Sequence, residues 1–322
     1  MTSFTTMASF IRTDGYYMER VDENANIIIG AVTLVTSIAL IFLQSSIFII
    51  FKKNPTLSRS ISFVLMRHLG ISEIIQQICH LFSSFYALFL YKPDNFVGQF
   101  VASLLQTGYL VSITFLLILT INRFDVIFNR KIFISFNREK FFKFCVISNY
   151  IWGMVLVVFF MIPDFQLHYS LLNFGWQYVA ESPNWLMAKV FENRYVIIIL
   201  CCCFITYVII IGKILQMKSY AGKGASITFS EISLLLQAIF NFLFIVLVES
   251  CWSFLYLYLP QTKYSFTIVN YLYVLSSGTN AVVSLLFIKE LRLGFLKIIC
   301  NCKKKSKNEI KTIKVTSLKS KT

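Results

Sequence analysis

Five long stretches of the sequence contain no aspartate, glutamate, lysine or arginine, and this feature limits the possible fold more than any other. Because the chain is 57% hydrophobic and only 14% charged over 322 residues, it has too much apolar surface to enclose in one soluble domain. A helix needs roughly 20 apolar residues to cross a bilayer, so each stretch is predicted to span a membrane. The stretches cover residues 25–51, 96–122, 144–162, 195–212 and 265–288.

Two further segments have the length of a span, but each carries one acid. They cover residues 69–90 and 232–258, and the acids are Glu73 and Glu249. A charge at the bilayer centre costs roughly 2.5 to 3.5 kcal/mol on insertion scales, so both acids are expected to face protein or water. Since an open strand cannot satisfy its backbone in hydrocarbon, the sequence predicts an all-α membrane protein, a bundle of seven transmembrane helices.

The basic residues predict the orientation of this bundle. Six of the thirty lysines and arginines fall on the side of the amino terminus, and the other side keeps an excess even without the eleven that follow residue 288. The positive-inside rule then places the amino terminus outside and the carboxyl terminus in the cytosol. We divide the chain into an extracellular segment (1–24), a seven-span domain with a juxtamembrane helix (25–299) and a basic cytosolic tail (300–322). The net charge of +15 follows from topology, and no nucleic-acid partner is predicted.

The cysteines and histidines form no pattern typical of a disulfide framework or a metal site. All eight cysteines fall in predicted spans or in the tail, and the three histidines share no ligand spacing. The consecutive Cys201, Cys202 and Cys203 would point about 100° apart on a helix and cannot converge on one ion. Without a phosphate-binding loop or a nucleophile set, we expect no metal, no cofactor and no enzymatic activity.

Four motifs together resemble those of G-protein-coupled receptors. They are INRF at 121–124, LGISEII at 69–75, CW at 251–252 and GTNAVVSLLFIKELR at 278–292, and the resemblance covers roughly residues 27–295. NRF, together with SEISLLLQAIFNFLF at 230–244, more narrowly resembles the nematode serpentine chemoreceptors, nearest the Srt- or Srx-type branches. The resemblance implies a receptor in the plasma membrane of sensory neurons that binds an external small molecule, such as an odorant, and signals to a heterotrimeric G protein. The alternative is a seven-helix ligand-gated channel or transporter without G-protein coupling.

The resemblance assigns the coupling role to Arg123 and its neighbour Asn122, with Lys289 and Arg292 after the seventh span. Asn122 replaces the acid that commonly pairs with the arginine, and Asp125 does not share a helical face with Arg123. An ionic brake within this motif is therefore expected to be weak or missing. The alternative for Arg123 is a charge at the membrane border that reaches to the headgroups.

A short amphipathic helix is predicted to follow the seventh span. Leu291, Phe295 and Ile298 would face lipid, with basic residues toward the headgroups. Cys300 and Cys302 come next and suit palmitoylation. The eight lysines from 303 to 321 would add attraction to an anionic leaflet of the lipid bilayer.

Glu73 and Asn280 are predicted to form a polar pair in the core. In receptors of the resembling family, an acid at the position of Glu73 binds sodium with help from the asparagine of the seventh helix. The longer side chain of Glu73, and Ala281 where the family has proline, favour instead a protonated Glu73 that is hydrogen-bonded inside the bundle.

Three stripes of residues at helical spacing predict a ligand pocket in the outer half of the bundle. Glu249 is its single acid and would bind a cationic or hydrogen-bonding odorant, while the alternative for each aromatic is ordinary packing between helices. Phe254 stands where the family has proline, so no proline kink is expected in the sixth helix. The aromatic segment 163–194 is expected to be a loop across the mouth of the pocket. The predicted ligand-binding residues are Gln106, Tyr109, Glu249, Trp252, Tyr256 and Tyr273.

Overall fold

The computed structural model describes residues 21–93, 96–128, 137–179, 182–220, 229–255 and 263–300. The first six spans are single helices, and a short helix over Pro55–Arg59 joins the first two. The seventh span consists of α7 (Lys263–Ser276) and α8 (Thr279–Phe287), and α9 follows over residues 289–300. The six single helices are α1 (Glu23–Lys53), α2 (Ile61–Leu88), α3 (Phe96–Ile127), α4 (Arg138–Met161), α5 (Trp185–Tyr220) and α6 (Phe229–Ser250).

Polar side chains fix where α1 and α4 begin. The Asp22 carboxylate accepts a hydrogen bond from the Ala25 amide at 3.1 Å, and the Asn137 side chain accepts from the amides of Glu139 and Lys140. Such caps satisfy amides that the first turn of a helix leaves without a partner. Pro55 follows the end of α1, where its ring is incompatible with further helix.

The third span, α3, lies at the centre of the bundle and contacts α2, α4, α5 and α6. In its most apolar stretch 78% of the residues are buried, against 28% in α1 and in α4. The outer helices instead expose large apolar side chains, such as Val35 and Met154, to their surroundings. Among the described residues, five helices are long and apolar enough to cross a membrane, and α2 and the α7–α8 pair complete the set of seven.

The seventh span is not the continuous helix that the sequence predicted over 265–288. A turn at Ser277 and Gly278 separates α7 from α8, and the Gln77 amide of α2 donates to the freed Ser277 carbonyl at 2.7 Å. A Cβ at position 278 would lie 2.3 Å from the Leu40 Cδ2 of α1. A larger residue at this turn would therefore have to displace the Leu40 side chain of α1.

The segment 163–194 is more regular than the predicted loop. It contains a 3-10 turn (Pro163–Phe165) and the strands β1 (Leu167–Ser170) and β2 (Gly175–Tyr178), which pair antiparallel as a hairpin. The fifth helix already begins at Trp185, so the last ten residues of the predicted loop are helical. The end of the bundle under these strands is called the hairpin end, and the opposite end, where α3 terminates, the Arg123 end.

The predicted helix after the seventh span is present as α9, but one of its faces was assigned wrongly. Leu291 does not face lipid, because it is completely buried in an apolar cluster with Ile50 of α1. Gly294 also packs closely on Ile50, because a Cβ at position 294 would lie 2.9 Å from Ile50 Cγ2. Since α9 lies against the bundle through this face, Leu293 and Leu296 are the apolar residues that it exposes.

Candidate functional site

The Arg123 end contains a hydrogen-bond network around Ser62, the second residue of α2. The Ser62 hydroxyl oxygen accepts from the Asn122 amide at 2.8 Å and from Arg123 Nη1 at 3.0 Å. Arg123 is only 3% exposed, and its Nε and Nη2 have no hydrogen-bond partner in the described part of the chain. Among the described residues, the hydrogen-bond acceptor of the buried Arg123 guanidinium is thus the neutral Ser62 hydroxyl.

A second arginine, Arg138 at the start of α4, binds the acid near Arg123. Its Nε lies 2.6 Å from Asp125 Oδ2, and its Nη2 donates to Asn122 Oδ1 at 2.6 Å. Asp125 therefore forms its ion pair with α4 and not with Arg123 in its own helix. Consecutive hydrogen bonds connect α4, α3 and α2. They run from Arg138 through Asn122 and Ser62 to Arg123.

Lys289 and Arg292, the other two predicted coupling residues, lie at the beginning of α9 and are exposed. Arg292 Nη1 donates to the Leu286 carbonyl at 3.0 Å, which satisfies an acceptor at the carboxyl end of α8. Cys300, predicted to be lipidated, is exposed at the end of α9. Cys302 lies outside the described residues.

The predicted core pair meets in the interior of the bundle. Asn280 of α8 donates from Nδ2 to Glu73 Oε2 of α2 at 3.3 Å, and the Gln237 amide of α6 donates to Asn280 Oδ1 at 2.8 Å. All three side chains are buried. They form one polar network that connects the second, sixth and seventh spans.

Toward the hairpin end, the structure brings together three of the predicted ligand-binding residues. Tyr109 of α3 donates a hydrogen bond from its hydroxyl to the Glu249 carboxylate of α6. The rings of Tyr109 and Tyr273 meet edge to face, 5.0 Å apart. Gln106 is buried about one turn of α3 from Tyr109. These contacts join α3, α6 and α7 around one carboxylate.

The predicted pocket residue Trp252 lies in a π-helical turn, Cys251–Leu255, that directly follows α6. Its side chain is half-buried, and Tyr256 lies outside the described residues. Short π-helical segments are rare in proteins overall, but those that occur often lie at functional sites. The sixth span is thus irregular at this position without the proline that the resembling family has there.

Glu192 belongs to the same region, although the sequence predicted it to lie in a loop. It lies on the second turn of α5 and accepts a hydrogen bond from the Tyr178 hydroxyl of the hairpin. Burial raises the pKa of Tyr178 well above its ordinary value, and the Glu192 carboxyl beside it adds to this shift. The carboxyl also interacts electrostatically with Glu249, so two acids, not one, face this region.

The hairpin covers this end of the bundle without a disulfide. The Asn26 amide of α1 donates to the Leu171 carbonyl in the hairpin turn at 2.9 Å. Gly175 lies against α7 so closely that a Cβ there would be 2.2 Å from Asn270 Cγ. Together with the bond from Tyr178 to Glu192, these contacts fix the hairpin to three helices.

The seven-helix architecture is similar to that of a solved structure. The chain is similar to the crystal structure of squid rhodopsin with a TM-score of 0.72 and 12% sequence identity, over 87% of this chain and 82% of the rhodopsin chain. No protein-family model matches the sequence, and no curated protein matches it. At this identity the similarity shows the fold alone: a multi-pass, all-α membrane protein with seven helices, which confirms the predicted fold class.

Proposed function

We propose that this protein is a G-protein-coupled chemosensory receptor. An external small molecule would bind at the hairpin end, and a heterotrimeric G protein would dock at the Arg123 end. The observation that carries this proposal is the buried Arg123 at the end of the central helix of a receptor fold, anchored in the described chain by the neutral Ser62 hydroxyl. The predicted orientation, with the amino terminus outside, would place that end in the cytosol of a plasma-membrane receptor.

The geometry of the Arg123 end supports a latch, by which we mean a hydrogen bond between Arg123 and Ser62 that a binding partner can break. A hydrogen bond from a charged donor contributes roughly 1.5 to 3 kcal/mol, which is small enough for a binding partner to offset. Movement of α3 relative to α2 would free Arg123 and let it bind a G protein. A ligand that binds this open arrangement better than the closed one would shift the population toward it.

Two irregular points in the helices support communication between the ends. The π turn that contains Trp252 follows Glu249, and the break at Gly278 precedes Asn280. The hydrogen bond from Gln237 to Asn280 connects the two helices that carry these irregular points. A ligand contact at Glu249 would thus act on the same helix that holds the central polar network.

The chemosensory part of the proposal rests on the resemblance to nematode serpentine receptors in the NRF motif and the sixth span. The ligand class follows from chemistry, because a partly buried carboxylate such as Glu249 favours a cationic or hydrogen-bonding partner. Expression in sensory neurons and an odorant ligand belong to the same proposal. Palmitoylation of the exposed Cys300, with Cys302 nearby in sequence, would hold α9 to the bilayer.

Expression in cultured cells with a panel of volatile amines and neutral odorants tests this function. We expect at least one compound to activate a co-expressed G protein, with no current in cells that lack G proteins. A ligand-gated current that persists without any G protein would contradict the proposal and favour the channel.

A further inference from the structure

A small cavity lies beneath the hairpin, beside the contact between Tyr109 and Glu249. Its volume is about 30 Å³, and its walls come from the hairpin and from α1, α2 and α7. On the scale on which one water needs about 10–15 Å³, it has room for about two waters or a group of similar size. None of the described residues that line it is an aspartate, glutamate, lysine or arginine.

Three of the residues that line the cavity each carry a buried polar atom that lacks a hydrogen-bond partner among the described residues. These atoms are His80 Nε2 of α2, Trp176 Nε1 of β2 and the Tyr273 hydroxyl of α7. Their side chains are 2%, 7% and 7% exposed, respectively. Buried polar groups are nearly always hydrogen-bonded in folded proteins, so three from three elements around one space indicate a site that an occupant completes.

We propose that this cavity binds a small neutral molecule, or the neutral head of a larger one, that carries a hydrogen-bond acceptor and a donor together. The Trp176 indole can only donate, whereas the Tyr273 hydroxyl and the His80 imidazole can donate or accept. A carboxamide meets these requirements with one carbonyl and one amino group. An ion does not, because no opposite charge lines the cavity to offset its loss of hydration.

The position of the cavity gives its occupant access to the seventh span just before the break. His80 lies about one turn from Gln77, which bonds to the Ser277 carbonyl. Tyr273, in the same wall, contacts both the His80 ring at 5.4 Å and the Tyr109 ring at 5.0 Å. The site therefore adjoins the predicted pocket around Glu249 and shares Tyr273 with it. Binding there requires no G protein, so it can be tested separately from the proposed receptor function.

Three probes of nearly equal size and different charge test the site: acetamide, acetate and acetamidinium. The full chain is purified in lipid nanodiscs, and saturation transfer to the methyl protons of each probe is measured as a function of probe concentration. Empty nanodiscs provide the background. We expect saturable binding of acetamide, with acetate and acetamidinium at least tenfold weaker.

Substitutions that remove one polar atom and keep an aromatic ring locate the bound probe. His80→Phe, Trp176→Phe and Tyr273→Phe should each weaken acetamide binding about three- to tenfold. Tyr271→Phe is the matched control, because Tyr271 also lines the cavity but its hydroxyl already bonds to Thr36 Oγ1 at 2.9 Å. It should change binding less than twofold.

The three substitutions lie on different elements, so a folding defect in one leaves two that test the site. The inference is overturned if the cavity holds water only and acetamide does not saturate. Equal binding of the three probes, or equal effects of Tyr271→Phe and the other substitutions, would also overturn it.

Discussion

Arg138 at the start of α4 forms an ion pair with Asp125 of α3 across 2.6 Å, and the Asp125 side chain is completely buried. The same guanidinium donates to Asn122, so one side chain holds two polar residues that flank Arg123. Asp125, the acid near the proposed coupling residue Arg123, therefore pairs with a side chain of another helix. An ion pair between α3 and α4 thus takes the place of an ion pair between Arg123 and an acid of α3 itself.

The first prediction concerns the stability of this connection. Arg138→Ala should lower the free energy of unfolding by about 2 to 3 kcal/mol, because it leaves the buried Asp125 carboxylate without its counter-ion. The value lies below that for a fully buried pair because the Arg138 side chain is 21% exposed. Thermal unfolding in nanodiscs measures the change. Lys140→Ala, at an exposed position two residues along α4, is the control, and an equal effect of both would contradict the ion pair.

The second prediction concerns the latch at Ser62. Ser62→Ala removes the acceptor of both Asn122 and Arg123, so basal G-protein activation should rise about threefold to tenfold, which corresponds to roughly 1 kcal/mol. Ser60→Ala is a close control, since Ser60 is exposed and its side chain forms no cap at the start of α2. Unchanged basal activity at equal surface expression would count against the latch.

The sequence predicted the spans of this fold well and its irregular points poorly. Runs without charge identify long helices because the bilayer penalises charge, and the acids Glu73 and Glu249 did not obscure the two spans that carry them. The break at Ser277 and Gly278 was not predicted because both residues continue an uncharged run. Gly278 in that run was the available signal, but its close contact with the Leu40 side chain depends on how α1 packs and cannot be read from the sequence.

The contacts of the candidate site could be predicted only in part. Helical spacing placed Tyr109 and Tyr273 on inward faces, because periodicity determines the face of a helix. Glu192 was not predicted to belong to the site because the uncharged run of the fifth span begins only at residue 195, whereas α5 begins at Trp185. The partner of Asp125 could not be foreseen, since Arg138 follows a connection whose length does not determine which side chains meet.

The third prediction concerns the central network. Asn280→Ala should destabilise the protein by about 2 to 4 kcal/mol, because it leaves the buried Glu73 and Gln237 without their shared partner. Glu73→Gln, which keeps the shape and one acceptor oxygen, should cost less. Thermal unfolding of both variants decides the order. If Glu73→Gln proved the more destabilising, Asn280 would not be the centre of this network.

The fourth prediction concerns the ligand. Glu249→Gln should weaken the potency of activating amines at least tenfold and change that of neutral ligands less than threefold, because the substitution removes the charge and keeps the shape. Tyr109→Phe should affect both classes through the position of Glu249, to which Tyr109 bonds. Concentration–response curves for G-protein activation measure these shifts. Equal shifts for amines and neutral ligands with Glu249→Gln would remove this carboxylate from the ligand site.

The coupling role of Arg123 is the central claim, and nucleotide exchange tests it most directly. The wild type, Arg123→Ala and Arg67→Ala are each reconstituted in nanodiscs with a panel of purified heterotrimeric G proteins. Arg67 is the matched control because it is an exposed arginine at the same end of the bundle. We expect exchange to be accelerated by the wild type and by Arg67→Ala, and to fall at least tenfold with Arg123→Ala. Undiminished exchange with a folded Arg123→Ala variant would contradict the proposed coupling site.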